Sequence, residues 1–176
     1  MKTRLAVPFL LMLIPGIAGA QTVQAAGGLT VKDPGNVVSA GLGFSPASRL
    51  DVVVSIERIH QPTRTEFFSG GGTSVTRGGT MTFVAGEIRA SLFPRDRMTP
   101  FLVAGIGAGV SRPNVNSEFP NAVRNDLRVV YAGGGIRVPV TRQLSVLADV
   151  RCALGVEGGD GLMATWPIRA GIIWRF

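Results

Sequence analysis

The stretch RAGIIWRF, residues 169–176, has the alternation of an amphipathic β-strand. Successive side chains of a strand point to opposite faces. One face therefore carries small and apolar side chains that end in Trp174 and Phe176, whereas the other carries Arg169 and Arg175. Two faces of such different polarity indicate a strand that separates two different solvents.

The first part of the chain has the pattern of a secretory signal peptide. The charged start MKTR precedes an apolar run over residues 5–17, and small residues follow up to Ala20. The run is shorter than the ~20 residues that a membrane-spanning helix needs. We expect residues 1–20 to be a signal peptide and residues 21–176 to form one domain.

The composition of the chain argues against nucleic-acid-binding proteins, disulfide-stabilised proteins and helical membrane proteins. Without Lys2 and Arg4, 16 basic and 11 acidic residues remain, and the arginines are spread along the chain. We expect no nucleic-acid partner, because no basic run alternates with aromatic residues. Cys152 is the single cysteine, which excludes an intrachain disulfide and a cysteine metal site. After the signal, no apolar run approaches the length of a transmembrane helix.

Alternation of apolar and polar residues continues through almost the whole mature chain. It predicts eight strands, most of them longer than the usual 5–6 residues and long enough for a tilted strand to cross a bilayer. The predicted strands are 22–31, 36–45, 50–60, 80–92, 100–111, 127–139, 143–153 and 163–176. The first of these is the weakest pattern, and without it seven strands would remain.

The connections alternate in length with the parity of the strands. The second, fourth and sixth are short and polar, whereas residues 61–79 and 112–126 form long third and fifth connections, and the seventh is rich in glycine. Short turns at one rim and long loops at the other are typical of transmembrane β-barrels. The first connection, KDPG, departs from the rule. We therefore predict an all-β, closed antiparallel transmembrane barrel of eight strands, with short periplasmic turns and longer outer loops.

Strand parity separates an apolar face from a face of glycines and charges. In strand 80–92, for example, Ile88 and Ala90 alternate with Glu87 and Arg89. An unbroken band of Ala, Val, Ile and Leu suits lipid, so the charged face would fill a narrow lumen. The parity assigns a lumen charge network of four arginines and three carboxylates, namely Glu57, Glu87, Arg89, Arg137, Asp149, Arg151 and Arg169.

The end of the chain resembles the C-terminal insertion signal of bacterial outer-membrane proteins. The residues that carry the resemblance are Arg169, Gly171, Trp174 and Phe176. Together with the signal peptide and the glycine-rich VAGIGAGV strand, they make the chain similar to the small eight-stranded barrels of the OmpA/OmpX type. The resemblance implies location in the cell outer membrane and recognition of the last strand by the barrel-assembly machinery.

Residues with catalytic potential are few. His60 is the single histidine and has no serine and acid beside it in the sequence. The glycine clusters do not open a helix and lack the lysine of a phosphate loop. The stretches DPGN and EGGDG hold too few carboxylates for a calcium loop. We expect no catalytic, cofactor-binding or metal-binding residues.

Three classes of function remain. The leading hypothesis is a non-enzymatic, monomeric outer-membrane barrel with an envelope structural or surface-interaction role, in contact with outer-membrane lipid and lipopolysaccharide, its lumen plugged by charged side chains. The alternatives are a lipid-modifying outer-membrane enzyme or narrow passive channel, and a secreted soluble ligand-binding barrel. A lumen of eight strands is filled by its own side chains, which argues against passive transport.

Overall fold

The protein is built from β-strands. The computed structural model describes residues 21–31, 34–67, 71–93, 97–115, 123–157 and 162–176, and the predicted signal peptide lies outside them. The strands are β1 (Gln21–Thr30), β2 (Gly35–Ala47), β3 (Leu50–Gln61), β4 (Arg64–Phe67), β5 (Thr73–Thr76), β6 (Gly79–Ser91), β7 (Thr99–Pro113), β8 (Asn125–Pro139), β9 (Leu144–Glu157), β10 (Leu162–Thr165) and β11 (Pro167–Arg175).

The main sheet closes on itself. Strand β1 pairs antiparallel with both β2 and β11, and β9 pairs with β8 on one side and with β10 and β11 on the other. β10 and β11 flank Trp166 and together form one barrel strand, because both continue along β9. The prediction of a closed eight-stranded barrel is confirmed, and so is the doubtful first strand, whose partners run from Thr22–Arg175 to Thr30–Pro167.

The two longest connections, residues 62–78 and 114–124, lie at the same rim of the barrel, as the sequence predicts. The connections after β2, β6 and β8 meet at one rim, called the turn end below, where Thr22 of β1 also pairs with Arg175 of β11. The connections after β1, β3, β7 and β9 meet at the opposite rim, called the loop end. The third connection contains a hairpin that the sequence analysis treated as loop.

In this hairpin β4 pairs with β5, from Arg64–Thr76 to Phe67–Thr73. Its strands, RTEF and TSVT, lie on either side of a glycine run and contain three threonines, a residue common in strands. Gly71 near the tip has a φ of +84°, a conformation that side chains with a Cβ disfavour. The hairpin forms a separate two-stranded sheet within the connection between β3 and β6 at the loop end.

Burial in the barrel is the reverse of that in a water-soluble domain. Arg151 is 1% exposed in the interior, whereas Ile106 on the outer face is 70% exposed. The outward side chains form one apolar belt, here defined by Val38, Leu42, Val54, Ile56, Val84, Ile88, Leu102, Ile106, Val130, Ile136, Val146, Val150, Leu154, Ile168 and Ile172. Among the described residues, no helix is long and apolar enough to cross a membrane.

The lumen holds large apolar side chains as well as charges, which corrects the expectation that glycines and charges alone fill it. The members of this lumen cluster are Val37, Ile59, Met81, Phe83, Ala85, Phe101, Val103, Leu127, Val129, Tyr131 and Ala153. The glycines of β7 face these bulky residues. A Cβ at Gly105 would lie 2.5 Å from Cζ of Tyr131, so the phenol ring occupies the space that this glycine leaves. Filling a barrel requires volume as well as charge.

Candidate functional site

Six charged side chains form one connected network inside the barrel. They come from β3, β6, β9 and β11, and each is at most 4% exposed. The members of this lumen network are Glu57, Glu87, Arg89, Asp149, Arg151 and Arg169. Three guanidinium groups meet three carboxylates, so the network is neutral as a whole.

The first half of the network is centred on Glu87. Arg89, two residues further along β6, donates to Oε1 of Glu87. Arg151 Nη1 donates to Oε2 from β9 at 2.7 Å, and the hydroxyl of Tyr131 donates to the same oxygen at 2.8 Å. Because β7 and β8 separate β6 from β9 in the sheet, the Arg151–Glu87 bridge spans the lumen.

The second half is centred on Asp149 and Arg169. Arg169 donates from Nε and Nη2 to the two oxygens of Asp149 at 2.9 and 2.8 Å, in a bidentate pair between the neighbouring strands β11 and β9. Its Nη1 donates to Oε2 of Glu57 on β3 at 2.5 Å. Arg151 joins the halves by donating to Asp149 at 3.1 Å. Since β1 and β2 lie between β11 and β3, the Arg169–Glu57 bridge is a second span across the lumen.

Arg137 lies apart from the six, although the sequence analysis placed it in one network with them. Arg137 Nη1 donates to Asp51 Oδ2 at 2.8 Å, and Ser45 Oγ donates to Oδ1 at 2.5 Å. This pair is nearer the turn end, and its side chains are 21% and 18% exposed. The unpredicted partner Asp51 changes the count from four arginines against three carboxylates to four against four.

Two aromatic rings complete the surroundings of the arginines. The guanidinium of Arg151 lies 4.8 Å from the centroid of the Tyr131 ring, and that of Arg89 lies 5.6 Å from the Phe101 ring. These distances are within the range of cation–π attraction. Sequence parity places both aromatics on the lumen face, but it carried no signal that they contact the charges.

The energetics of the lumen network follow from its burial. An ion removed from water loses several kcal/mol of hydration, which attraction and hydrogen bonds recover only when geometry is good. Each of the six groups has at least one partner of opposite charge. The arrangement can therefore fix distant strands relative to one another and occupy the lumen cross-section.

Three residues of the predicted insertion signal, Arg169, Gly171 and Trp174, lie on the closing strand β11, and Phe176 follows its last residue. Arg169 belongs to the lumen network, whereas Trp174 and Phe176 are on the outer face, 42% and 71% exposed. Gly171 faces β1 so closely that a Cβ would lie 2.3 Å from the carbonyl oxygen of Ala25. The last strand thus joins the apolar belt to the network and closes the barrel against β1.

His60 lies on the outer face of β3 near the loop end. Its described contact is a hydrogen bond between Nδ1 and Oγ1 of Thr80 at 3.0 Å. The three carboxylates of the lumen network are on the opposite face of the barrel wall. Among the described residues, no group of histidine, cysteine and acidic side chains could hold a metal ion.

Comparisons with known proteins agree with this architecture. No protein-family model matches the chain, and no curated protein sequence matches it significantly. Among solved structures, the N-terminal β-barrel domain of Pseudomonas aeruginosa OprF is similar, with a TM-score of 0.63, 15% identity, and coverage of 90% of this chain and 99% of that one. Neisserial surface protein A gives a TM-score of 0.66 at 12% identity, with 90% and 97% covered.

A third similar structure is Ail, the attachment invasion locus protein of Yersinia pestis, in complex with the heparin analogue sucrose octasulfate. Its TM-score is 0.54 at 11% identity, with 90% of this chain and 99% of that one covered. This chain has the fold of the small outer-membrane β-barrels. The resemblance inferred from its last strand and its alternation is confirmed at the level of the fold.

Proposed function

We propose that the protein is an integral, non-enzymatic barrel of the bacterial outer membrane, with a scaffold and surface-interaction role in the cell envelope. The observation that carries this proposal is the inverted burial, with an apolar belt outside and ion-paired charges inside. In water such a belt would be a very large exposed apolar patch. In lipid it is the favoured surface, and the pairing of β1 with β11 closes the sheet.

The direction of insertion follows from the two rims. The turn end would face the periplasm and the loop end the exterior, as short turns and long loops do in outer-membrane barrels. Trp174 and Phe176 are at the turn end of the belt, a level at which aromatic residues favour the membrane interface. Last-strand recognition by the barrel-assembly machinery is part of this proposal.

The test of this placement is a pair of measurements on cells that express the full chain. Membrane-fraction protein should migrate faster on an unheated detergent gel than after boiling, because a closed barrel resists detergent. Trypsin added to intact cells should cut at the loop end, after Arg64, Arg77 or Arg124. Cleavage at Arg49 or Arg142 instead would show that the turn end, not the loop end, faces the exterior. A soluble, freely extractable protein would contradict membrane insertion.

We further propose that the loop end contacts the anionic groups of lipopolysaccharide. Three exposed arginines point outward near this rim, Arg58 on β3, Arg112 on β7 and Arg128 on β8, with Asp126 as a nearby acidic side chain. They lie beyond the apolar belt, where an anionic headgroup would meet them. Ail, a barrel of the same fold, has been solved with a polyanionic heparin analogue, which supports polyanion binding as a use of this scaffold.

Replacement of Arg58, Arg112 and Arg128 by Gln should reduce the lipopolysaccharide that co-purifies with the folded barrel. Arg49→Gln is the matched control, because it removes a charge at the turn end. Equal lipopolysaccharide content in both variants would contradict this contact. We expect the protein to act as a monomer, since every barrel strand already has two partners.

A lipid-modifying enzyme is the alternative, and the His60–Thr80 pair is the observation that favours it. A hydroxyl nucleophile needs a base, and the base is usually oriented by a third group. The buried carboxylates cannot supply that group, because strand parity puts them inside the barrel while His60 faces outward. Phospholipid hydrolysis by the purified protein that is lost in Thr80→Ala would favour the enzyme over the scaffold.

A further inference from the structure

A cavity of about 180 Å³ opens at the turn end of the barrel. It lies between β7, β8, β9, β11 and the connection after β8. Its polar lining comes from Thr99, Arg137, Thr141, Arg142, Gln143, Ser145 and Arg175. A single water needs about 10–15 Å³ of such space, so the cavity is large enough for a polyatomic ligand.

The cavity carries an excess of positive charge. Among the described residues that line it, three are arginines and none is acidic. Arg137 is compensated by Asp51 at 2.8 Å. Within the described part of the chain, Arg142 and Arg175 form no ion pair. Their two guanidinium groups are therefore available to an external anion.

The wall that carries these two arginines is held by local hydrogen bonds. Thr141 Oγ1 accepts from the backbone N–H groups of Gln143 and Leu144 at 3.2 and 2.9 Å. The N–H of Arg175 donates to the carbonyl of Gln143 at 2.8 Å, which ties the end of β11 to this turn. The two guanidinium groups therefore start from neighbouring, fixed backbone positions, which lowers the entropic cost of binding.

We propose that this cavity binds the phosphate group of a phosphate ester. Guanidinium groups present planar forks of N–H donors that match phosphate oxygens in bidentate geometry. The hydroxyls of Thr99 and Ser145 and the amide of Gln143 supply neutral donors in the same lining. The ligand is either a soluble phosphate ester or a phospholipid headgroup, because Arg175, on the opposite face of β11, is at the same level of the rim as the outward aromatics Trp174 and Phe176.

The experiment uses the folded full-length barrel in a neutral detergent. Glycerol 3-phosphate and dihexanoyl phosphatidylglycerol are titrated separately, with acetate as the control anion, while NMR follows the Nε–H signals of arginine. We expect saturable shifts with one or both phosphate compounds and none with acetate. Saturation by the soluble ester alone would identify a soluble ligand, and saturation by the lipid alone would identify a headgroup.

The variant Arg142→Gln/Arg175→Gln should weaken binding at least tenfold, and Arg49→Gln, at the same rim outside the cavity, should change it less than twofold. Both variants should show the heat-modifiable migration of the folded wild type, so a loss of binding is not a loss of folding. Equal weakening by both variants, equal binding of acetate, or no saturable shift with either phosphate compound would overturn the proposal. The soluble arm does not depend on membrane insertion, so it can fail or succeed independently of the proposed function.

Discussion

Arg151 on β9 donates to Glu87 on β6 at 2.7 Å, and this single bridge spans the lumen of the barrel. Both side chains are 1% exposed. Strands β6 and β9 are not neighbours in the sheet, so the pair links opposite parts of the wall. Such bridges hold distant strands of the wall together and fill the lumen between them.

Removal of one partner from the lumen network should destabilise the barrel strongly. Glu87→Ala removes the carboxylate partner of Arg89 and one of the two partners of Arg151, so the buried network carries an uncompensated positive charge, which costs roughly 3–5 kcal/mol. The control is Asp126→Ala, which removes an exposed carboxylate from the outer face and should change stability by no more than about 0.5 kcal/mol. Urea unfolding in phospholipid vesicles, followed by tryptophan fluorescence, measures both. Equal unfolding free energies for the two variants would show that the lumen ion pairs contribute no stability.

Tyr131→Phe isolates one hydrogen bond of the network. The phenol donates to Glu87 at 2.8 Å while its ring lies 4.8 Å from the Arg151 guanidinium. The phenylalanine keeps the ring and loses the donor, so we expect a loss of about 1.5–3 kcal/mol, the usual range for a hydrogen bond to a charged group. The same urea titration applies. A wild-type midpoint and slope in this variant would mean that water replaces the hydroxyl at no cost.

Closure between β1 and β11 should be sensitive to a single methyl group at Gly171. An added Cβ would lie 2.3 Å from the Ala25 carbonyl oxygen, so the two strands would have to separate. We expect Gly171→Ala to lose about 1–3 kcal/mol. Gly86→Ala is the matched control, because a Cβ there meets nothing within 4 Å, and it should be neutral or stabilising by up to ~1 kcal/mol. Equal behaviour of the two variants would contradict the tight β1–β11 contact.

Replacement of Trp174 and Phe176 by Ser should reduce the folded barrel in the outer membrane while leaving export intact. Each aromatic loses about 1.5–3 kcal/mol of apolar burial at most, and the larger effect is expected on recognition during assembly. Fractionation followed by unheated gel electrophoresis measures the folded share. Val38→Ser/Leu42→Ser is the control, since it removes two side chains of the apolar belt outside the last strand. If the Trp174 and Phe176 variant folded in the outer membrane as well as the wild type, the proposed role of these two residues in assembly would be contradicted.

The sequence could predict the barrel because alternation and loop parity are local properties. Even the first segment, whose alternation is weak, was predicted correctly. In the structure, pairing with β2 and β11 stabilises it where its own pattern is weak. The β4–β5 hairpin was missed because its strands are only four residues long and flank a glycine-rich run.

The contacts between side chains inside the lumen could be predicted from the sequence only in part. Parity gives the face of a side chain but not its neighbours across the lumen, so it could not separate Arg137 from the other charges or identify Asp51 as its partner. It also could not show that Phe83 and Leu127 fill the interior. An apolar residue on the lumen face interrupts the alternation of apolar and polar residues, so in the sequence it reads only as an irregularity of the pattern. Those contacts depend on barrel closure, which joins residues far apart in the chain.

The claim that the lumen is closed by its own side chains is tested most directly by conductance. The purified, heat-modifiable barrel would be inserted into planar lipid bilayers and recorded over a range of voltages. Two charged bridges and an apolar cluster occupy the lumen, so we predict a silent membrane for the wild type. Steady, large, ion-selective openings would contradict the account and make the same charged residues the lining of a channel.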